Sequence, residues 1–280
     1  MRRCSAPGRA VALIACVAHP WRIVNPHWIA FTRDVSPALA QCELTHVARS
    51  PIDVDVARVQ HHAYEELLTS LGCEVRRVAP APAHPDSVFI EDTAVVLDEV
   101  AVITRPGAAT RRDEVSAVAD ALAPLRPLVH IQGPATLDGG DVLVIGRAVY
   151  VGETDRTNAE GIAQLRTALA PFGYTVQGVP VTGCLHLKTA VTAVDETTVL
   201  LNPAWVEAAV FGASPVLAVD ETEPMAANVL RIGDALVYGA AFPRTLELLR
   251  AAGFHPHTVD ASELAKAEGA VTCCSLVLRA

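Results

Sequence analysis

The chain has 280 residues, of which 51% are hydrophobic and 19% charged, enough apolar content to bury a substantial core and too little charge for wholesale disorder. Net charge is −9 and no dense Lys/Arg run is present, which argues against a nucleic-acid binder. The acidic balance suits cationic small molecules, but solubility alone is the better explanation of it.

Met1-Arg2-Arg3 precedes a short apolar stretch at 10–18. This faintly resembles a signal peptide, and an extension leading into a first strand explains it as well. Residues 1–30 are therefore read as an N-terminal extension and 31–280 as a single catalytic domain. No run reaches the ~20 apolar residues of a membrane helix, so no membrane partner is expected.

Next along the chain, a helical pattern lies within 54–71. Paired β-branched runs then recur around tight polar turns: 94–97 with 100–104, 141–145 with 148–152, 187–194 with 197–201, and 228–232 with 235–238. Each pair reads as a β-hairpin. The run 274–278 has no partner after it. Helical patterns follow most hairpins, at 110–125, 157–169 and 244–252, with apolar residues such as Ile162, Leu165 and Leu169 on one face. Gly72, Gly173 and Gly253 stand where helix C-caps belong.

The unit is strand, turn, strand, helix, strand. Its markers, Asp92, Asp141, His186, Asn228 and Cys273, recur 42–49 residues apart, a period that signals a circular or solenoid array. A radial α/β arrangement of five units fits, with the chain termini sharing one unit. The alternative is a doubly wound sheet, which the hairpins disfavour.

Seven cysteines, at 4, 16, 42, 73, 184, 273 and 274, form no CxxC pair and no even framework. The pattern fits a reducing compartment, read as the cytoplasm, and gives no structural zinc site. In a radial fold the strand starts would converge. Asp86, Glu91-Asp92, Asp138-Gly139-Gly140-Asp141, Cys184-Leu185-His186 and Thr272-Cys273-Cys274 would then share one cavity. Taken singly, each has a bland reading: a satisfied core histidine, a Gly-rich turn, an inert thiol. Buried carboxylates are harder to dismiss, because each costs several kcal/mol unless paired.

The segments Pro85-Asp86-Ser87-Val88-Phe89-Ile90-Glu91-Asp92, Ile103-Thr104-Arg105-Pro106-Gly107-Ala108, Leu137-Asp138-Gly139-Gly140-Asp141, Arg156-Thr157-Asn158, Leu185-His186-Leu187-Lys188 and Thr272-Cys273-Cys274-Ser275 occur in order. Together they resemble the dimethylarginine dimethylaminohydrolase family, within the arginine-deiminase and amidinotransferase (pentein) superfamily, from about residue 31 onward. The resemblance implies a five-bladed α/β propeller that hydrolyses methylated L-arginines to L-citrulline, with no metal or organic cofactor. It implies Cys273 as nucleophile, His186 as general acid and base, and Asp138 as the carboxylate that orients His186. Asp86, Glu91 and Asp92 would bind the guanidinium and the amino group of the substrate. Arg105 and Arg156 would clamp its carboxylate, Leu44 would cover it, and the Ala267 backbone would touch its amino group. Glu268 departs from the Asp common before the Gly. The partner implied is a small molecule; a homodimer stays open. Rival readings are an arginine deiminase or amidinotransferase, a catalytically silent methylarginine-binding propeller, and a zinc hydrolase.

Overall fold

A computed structural model describes residues 27–280. The signal-like stretch at 10–18 lies outside them, as do Cys4 and Cys16. The described residues form five three-stranded sheets of one topology. In each, the middle strand runs antiparallel to the strand before it and parallel to the strand after it. The first contains β3 (Ala94–Val96), β4 (Ala101–Ile103) and β5 (Leu128–His130), and the second β6 (Val142–Ile145), β7 (Ala148–Glu153) and β8 (Thr175–Pro180). The third contains β9 (Val191–Ala193), β10 (Val199–Leu201) and β11 (Val216–Ala218), and the fourth β12 (Val229–Ile232), β13 (Ala235–Gly239) and β14 (His257–Val259). The fifth joins both ends of the described chain: β15 (Leu276–Arg279) pairs with β1 (Trp28–Thr32), which pairs with β2 (Cys73–Arg77). This is the closed five-bladed α/β propeller expected from the repeat. Strand β1 starts at Trp28, inside the stretch read as an extension.

The local chemistry explains the units. Hairpin β6–β7 turns through Gly146-Arg147 and β12–β13 through Gly233-Asp234, with the glycines at φ +58° and +59°. A two-residue connection with positive φ matches the right-handed twist of the strands it joins. Crossover helices α1 (Val54–Ser70), α2 (Val115–Leu122), α3 (Ala159–Leu169) and α5 (Pro243–Ala251) carry the parallel connections. Asp53 caps α1 by accepting the Asp55 and Val56 N–H groups, and Asn158 caps α3 by accepting that of Gly161. The expected C-cap glycines 72, 173 and 253 all adopt positive φ. The third blade departs from the rule: it crosses over through a 3-10 turn, Ala208–Phe211, rather than an α-helix.

Five apolar clusters sit between adjacent blades. Ile29, Ile90, Ile103, Leu122 and Leu276, for example, bridge the fifth blade and the first. Leu137, Val142, Val149 and Leu165 serve the next junction with Val95 and Val102.

Two expected strands differ from the structure in the same way. The run 187–194 opens with a helical turn, α4 (Leu187–Ala190), and only 191–193 is strand. The run 274–278 becomes strand at Leu276, after a turn at 271–274. Every blade shows this device. A tight turn precedes its first strand: Ile90–Thr93, Gly139–Asp141, Leu187–Ala190, 224–227 and 271–274.

These turns bind one another in a ring. Asp92 Oδ1 accepts Gly140 N–H at 3.0 Å, and Asp141 Oδ1 accepts Leu187 N–H at 2.9 Å. Asn228 Nδ2 donates to Lys188 O at 3.0 Å, and Asn228 Oδ1 accepts Thr272 N–H at 3.1 Å. Glu91 N–H donates to Cys273 O at 3.1 Å, which closes the circle. The links to Gly140, Leu187 and Thr272 are buried, where an unpaired backbone group would carry its full desolvation penalty. Gly139 is required by packing: a Cβ there would lie 2.0 Å from Glu91 O.

Asn228 makes two of the five links and is 4% exposed. Asn228→Ala strands the Thr272 N–H and the Lys188 carbonyl, so it should cost about 2–4 kcal/mol. Denaturant unfolding of the two proteins measures this, and a loss under ~0.5 kcal/mol would contradict the ring's importance.

Candidate active site

The ring of turns brings a thiol, a histidine and five carboxyl groups to one cavity. Cys273, His186, Asp138, Asp92, Asp86, Arg156 and Ala267 line a single cavity of about 20 Å³, with Arg111, Glu43 and Glu268. All of these except Arg111, Glu43 and Glu268 were expected in the site.

Cys273 lies in the turn at 271–274, its N–H donating to Ala270 O at 3.2 Å. Burial pushes its thiol up to about 12, and the carboxylates of Glu91 and Asp92 add to this. The thiol is therefore protonated at neutral pH. Cys274 is 1% exposed, packs in the core and donates to Ala270 O, so it is the inert member of the pair. The extended strand expected at this pair is absent; the turn makes the two sulfurs diverge.

His186 is the N-cap of α4, with Nε2 3.0 Å from Asp138 Oδ2 and Nδ1 3.8 Å from Asp92 Oδ1. Burial alone would lower its pKa. Asp92, the Asp138 hydrogen bond and Asp141 outweigh that and raise it to about 9. Asp138 is itself fixed, since its Oδ1 accepts Gly107 N–H at 2.8 Å and its N–H donates to Thr157 Oγ1. Gly140 has no room for a side chain, because a Cβ would meet His186 Nδ1 at 2.6 Å.

Asp92 is buried, yet His186 and Arg111 hold its carboxyl below the usual range. Arg111 Nη1 reaches Asp92 Oδ2 at 2.5 Å, and Nη2 bonds Glu114, Phe89 O and Asp86 O. Asp86, farther out, is raised to about 6, mainly by burial.

Three expected residues stand elsewhere. Arg105 does not line the cavity. Its guanidinium turns away to donate to Ala135 O at 3.0 Å and packs beside Gly133, while its backbone bridges Leu137. The second cavity arginine is Arg111, on the 3-10 turn Ala109–Glu114. The matching segment in the sequence stops at Ala108, three residues short, and an arginine in a helical pattern gives no other signal.

Glu91 also points away. Successive residues of the turn Ile90–Thr93 diverge, and Asp92 lines the cavity while Glu91 does not. Glu91 goes to Lys188 Nζ at 2.5 Å and Thr272 Oγ1 at 2.8 Å, beside a separate cavity of about 350 Å³. Leu44 packs on the core cluster containing Phe89 and Ala267, and its neighbour Glu43 faces the cavity instead.

Asp92, Asp138 and His186 each offer a ligand atom within 4.8 Å of the others. Arg111 occupies Asp92 Oδ2 and the imidazole occupies Asp138 Oδ2, so both carboxylates already have cationic partners. Arg111 already supplies the positive charge that a metal would bring.

Because its folded pKa exceeds the ordinary value of about 6.5, His186 contributes stability that is full below that pH and lost as pH rises through about 9. Asp138→Asn removes one ionic partner, so the NMR titration of the His186 ring should move below the wild-type value. An unchanged midpoint would show that Asp138 does not hold the proton.

No protein-family profile matches the chain. It is 46% identical over 251 residues to the N(G),N(G)-dimethylarginine dimethylaminohydrolase of Streptomyces coelicolor, covering 89% of this chain and 96% of the relative. It is 33% identical over 226 residues to the protein of the same name from Pseudomonas aeruginosa, covering 80% and 89%. A solved structure of the Pseudomonas aeruginosa protein, a cysteine-to-serine mutant complexed with citrulline, superposes with a TM-score of 0.86 at 30% identity, over 90% of this chain and 100% of that one. The fold and these relatives together show that the chain belongs to the dimethylarginine dimethylaminohydrolase family.

Proposed function

We propose that this chain hydrolyses Nω,Nω-dimethyl-L-arginine, and the monomethyl compound, to L-citrulline and dimethylamine or methylamine. The observation that carries this is a turn-borne thiol, Cys273, sharing a closed anionic cavity with the His186–Asp138 pair. The family relatives support it. Asp92 and Asp86 give a planar guanidinium carboxylate partners for charge-assisted hydrogen bonds.

The electrostatics suggest how the steps connect. The site without substrate combines a high-pKa thiol with an imidazolium. A guanidinium cation beside the sulfur lowers the cost of the thiolate, and the thiol proton passes to solvent, since His186 already carries its own. Sulfur then bonds to the guanidino carbon. Dimethylamine cannot leave as an anion, so His186 protonates it as the C–N bond breaks. The neutral imidazole next takes a proton from water. Hydroxide attacks the S-alkylthiouronium carbon, and the C–S bond breaks to give citrulline and free Cys273. Asp138 holds the ring throughout. Arg156 would receive the carboxylate of the substrate, and Arg111 would orient Asp92. The Ala267 backbone lines the wall beside the amino group.

No helix among the described residues is long and apolar enough to cross a membrane. The cytoplasm is the compartment proposed, in keeping with free thiols at Cys42, Cys73, Cys184, Cys273 and Cys274. The assembly proposed as compatible with this is a homodimer or a monomer.

Cys273→Ser should lower citrulline release from dimethylarginine by at least ~10³-fold while leaving the thermal midpoint near wild type. Retained turnover would overturn the mechanism. Citrulline release should also be faster from dimethylarginine than from arginine at equal concentration. The reverse order would assign the chain to arginine deimination, and binding without any citrulline would assign it to a silent binding protein.

A further inference from the structure

The cavity around Cys273, about 20 Å³, has room for roughly one water molecule. Glu43 and Arg156 both line it. The Glu43 carboxylate lies 3.2 Å from Arg156 Nη1 through Oε2, and its Oε1 accepts the Thr110 hydroxyl. Arg156 Nη2 also donates to Thr45 Oγ1 at 3.1 Å. The guanidinium placed to receive the carboxylate of a substrate thus already holds a carboxylate, one belonging to the protein.

The two partners differ in how firmly they are fixed. The Arg156 side chain is 13% exposed and that of Glu43 is 39% exposed. Thr110 and Arg156 hold the Glu43 carboxyl below its ordinary range, so it is ionised as a substrate carboxylate would be. The pair is part-buried on the Arg156 side and open to water on the Glu43 side, so the Glu43 carboxylate is the exchangeable partner. The loop behind it is tethered separately. Glu268 accepts the N–H groups of Thr45 at 2.9 Å, His46, and Val47 at 2.7 Å, from a residue in the left-handed region at φ +59°. Releasing Glu43 therefore frees one side chain without freeing the loop backbone.

Resting on the proposed substrate class, we infer that Glu43 is a built-in stand-in for the substrate's α-carboxylate, holding Arg156 in the empty enzyme and exchanging places with that carboxylate on binding. The bidentate-capable fork of Arg156 serves both, one after the other. Substrate affinity then includes the work of displacing Glu43. A substrate without a carboxylate gains nothing from that exchange.

The test compares wild type and Glu43→Gln on Nω,Nω-dimethyl-L-arginine and on its decarboxylated analogue, Nω,Nω-dimethylagmatine. The variant should lower KM for dimethylarginine roughly 3- to 10-fold and leave KM for the analogue unchanged. Calorimetric titration with L-citrulline should show tighter binding to the variant by a similar factor, without any turnover. A KM that falls equally for both compounds would mean simple loosening of the loop and would overturn the exchange. A KM that rises would make Glu43 a ligand for the substrate's amino group and would overturn it too. Absence of citrulline from wild type and dimethylarginine would sink the proposed reaction instead, and the calorimetric arm would still decide the exchange.

Discussion

The circle of hydrogen bonds linking the five inner turns is the constraint on which the site depends. Each blade alone is a three-stranded sheet with one crossover, too small to hold a reactive group in place. Asp92, Asp141 and Asn228 spend their side chains on the backbone of the next blade, and the Cys273 carbonyl takes the N–H of Glu91. Residues that neighbour the chemistry therefore also join the blades. Cys273 and Glu91 are remote in the chain yet share one hydrogen bond, so the nucleophile is fixed by ring closure and by the pairing of β15 with β1.

That geometry concentrates negative charge around a thiol, which by itself suppresses the thiolate. Burial and two carboxylates push Cys273 up to about 12. Asp92, which is one of them, together with Asp138 and Asp141 lifts His186 to about 9 against the effect of burial. Without substrate the pair is the reverse of a ready thiolate and base. The arrangement makes sense for a cationic electrophile, because the substrate supplies the charge that the thiol lacks. A neutral amide would bring no such help. This ties substrate charge to catalytic competence through Coulomb's law rather than through shape alone.

Much of this was legible in the sequence. The repeat of hairpins and helices reported the blades, because strand and helix periodicities are local. The spacing of Asp92, Asp141, His186, Asn228 and Cys273 reported the axis, since each occupies or flanks the turn before an inner strand. What escaped notice was set by backbone detail. The turns at Leu187–Ala190 and 271–274 contain strand-forming residues, and hydrogen bonds to neighbouring blades override that propensity. Glu91 and Asp92 are adjacent, and only the turn geometry decides which faces the thiol. Arg105 and Arg111 are both arginines after the same hairpin. Arg105 satisfies the Ala135 carbonyl, whereas Arg111 enters because Asp92 and Glu114 give its buried guanidinium two carboxylates. The role of Glu43 follows from loop placement, for which local sequence carries no period.

A crystal structure of Cys273→Ser soaked with Nω,Nω-dimethyl-L-arginine tests the central claim most directly. The account predicts the guanidino carbon within roughly 3–3.5 Å of the substituted side-chain oxygen, with Asp92 on the guanidinium and the carboxylate on Arg156. A guanidinium bound beside Glu91 and Lys188, in the other cavity on the axis, would contradict it.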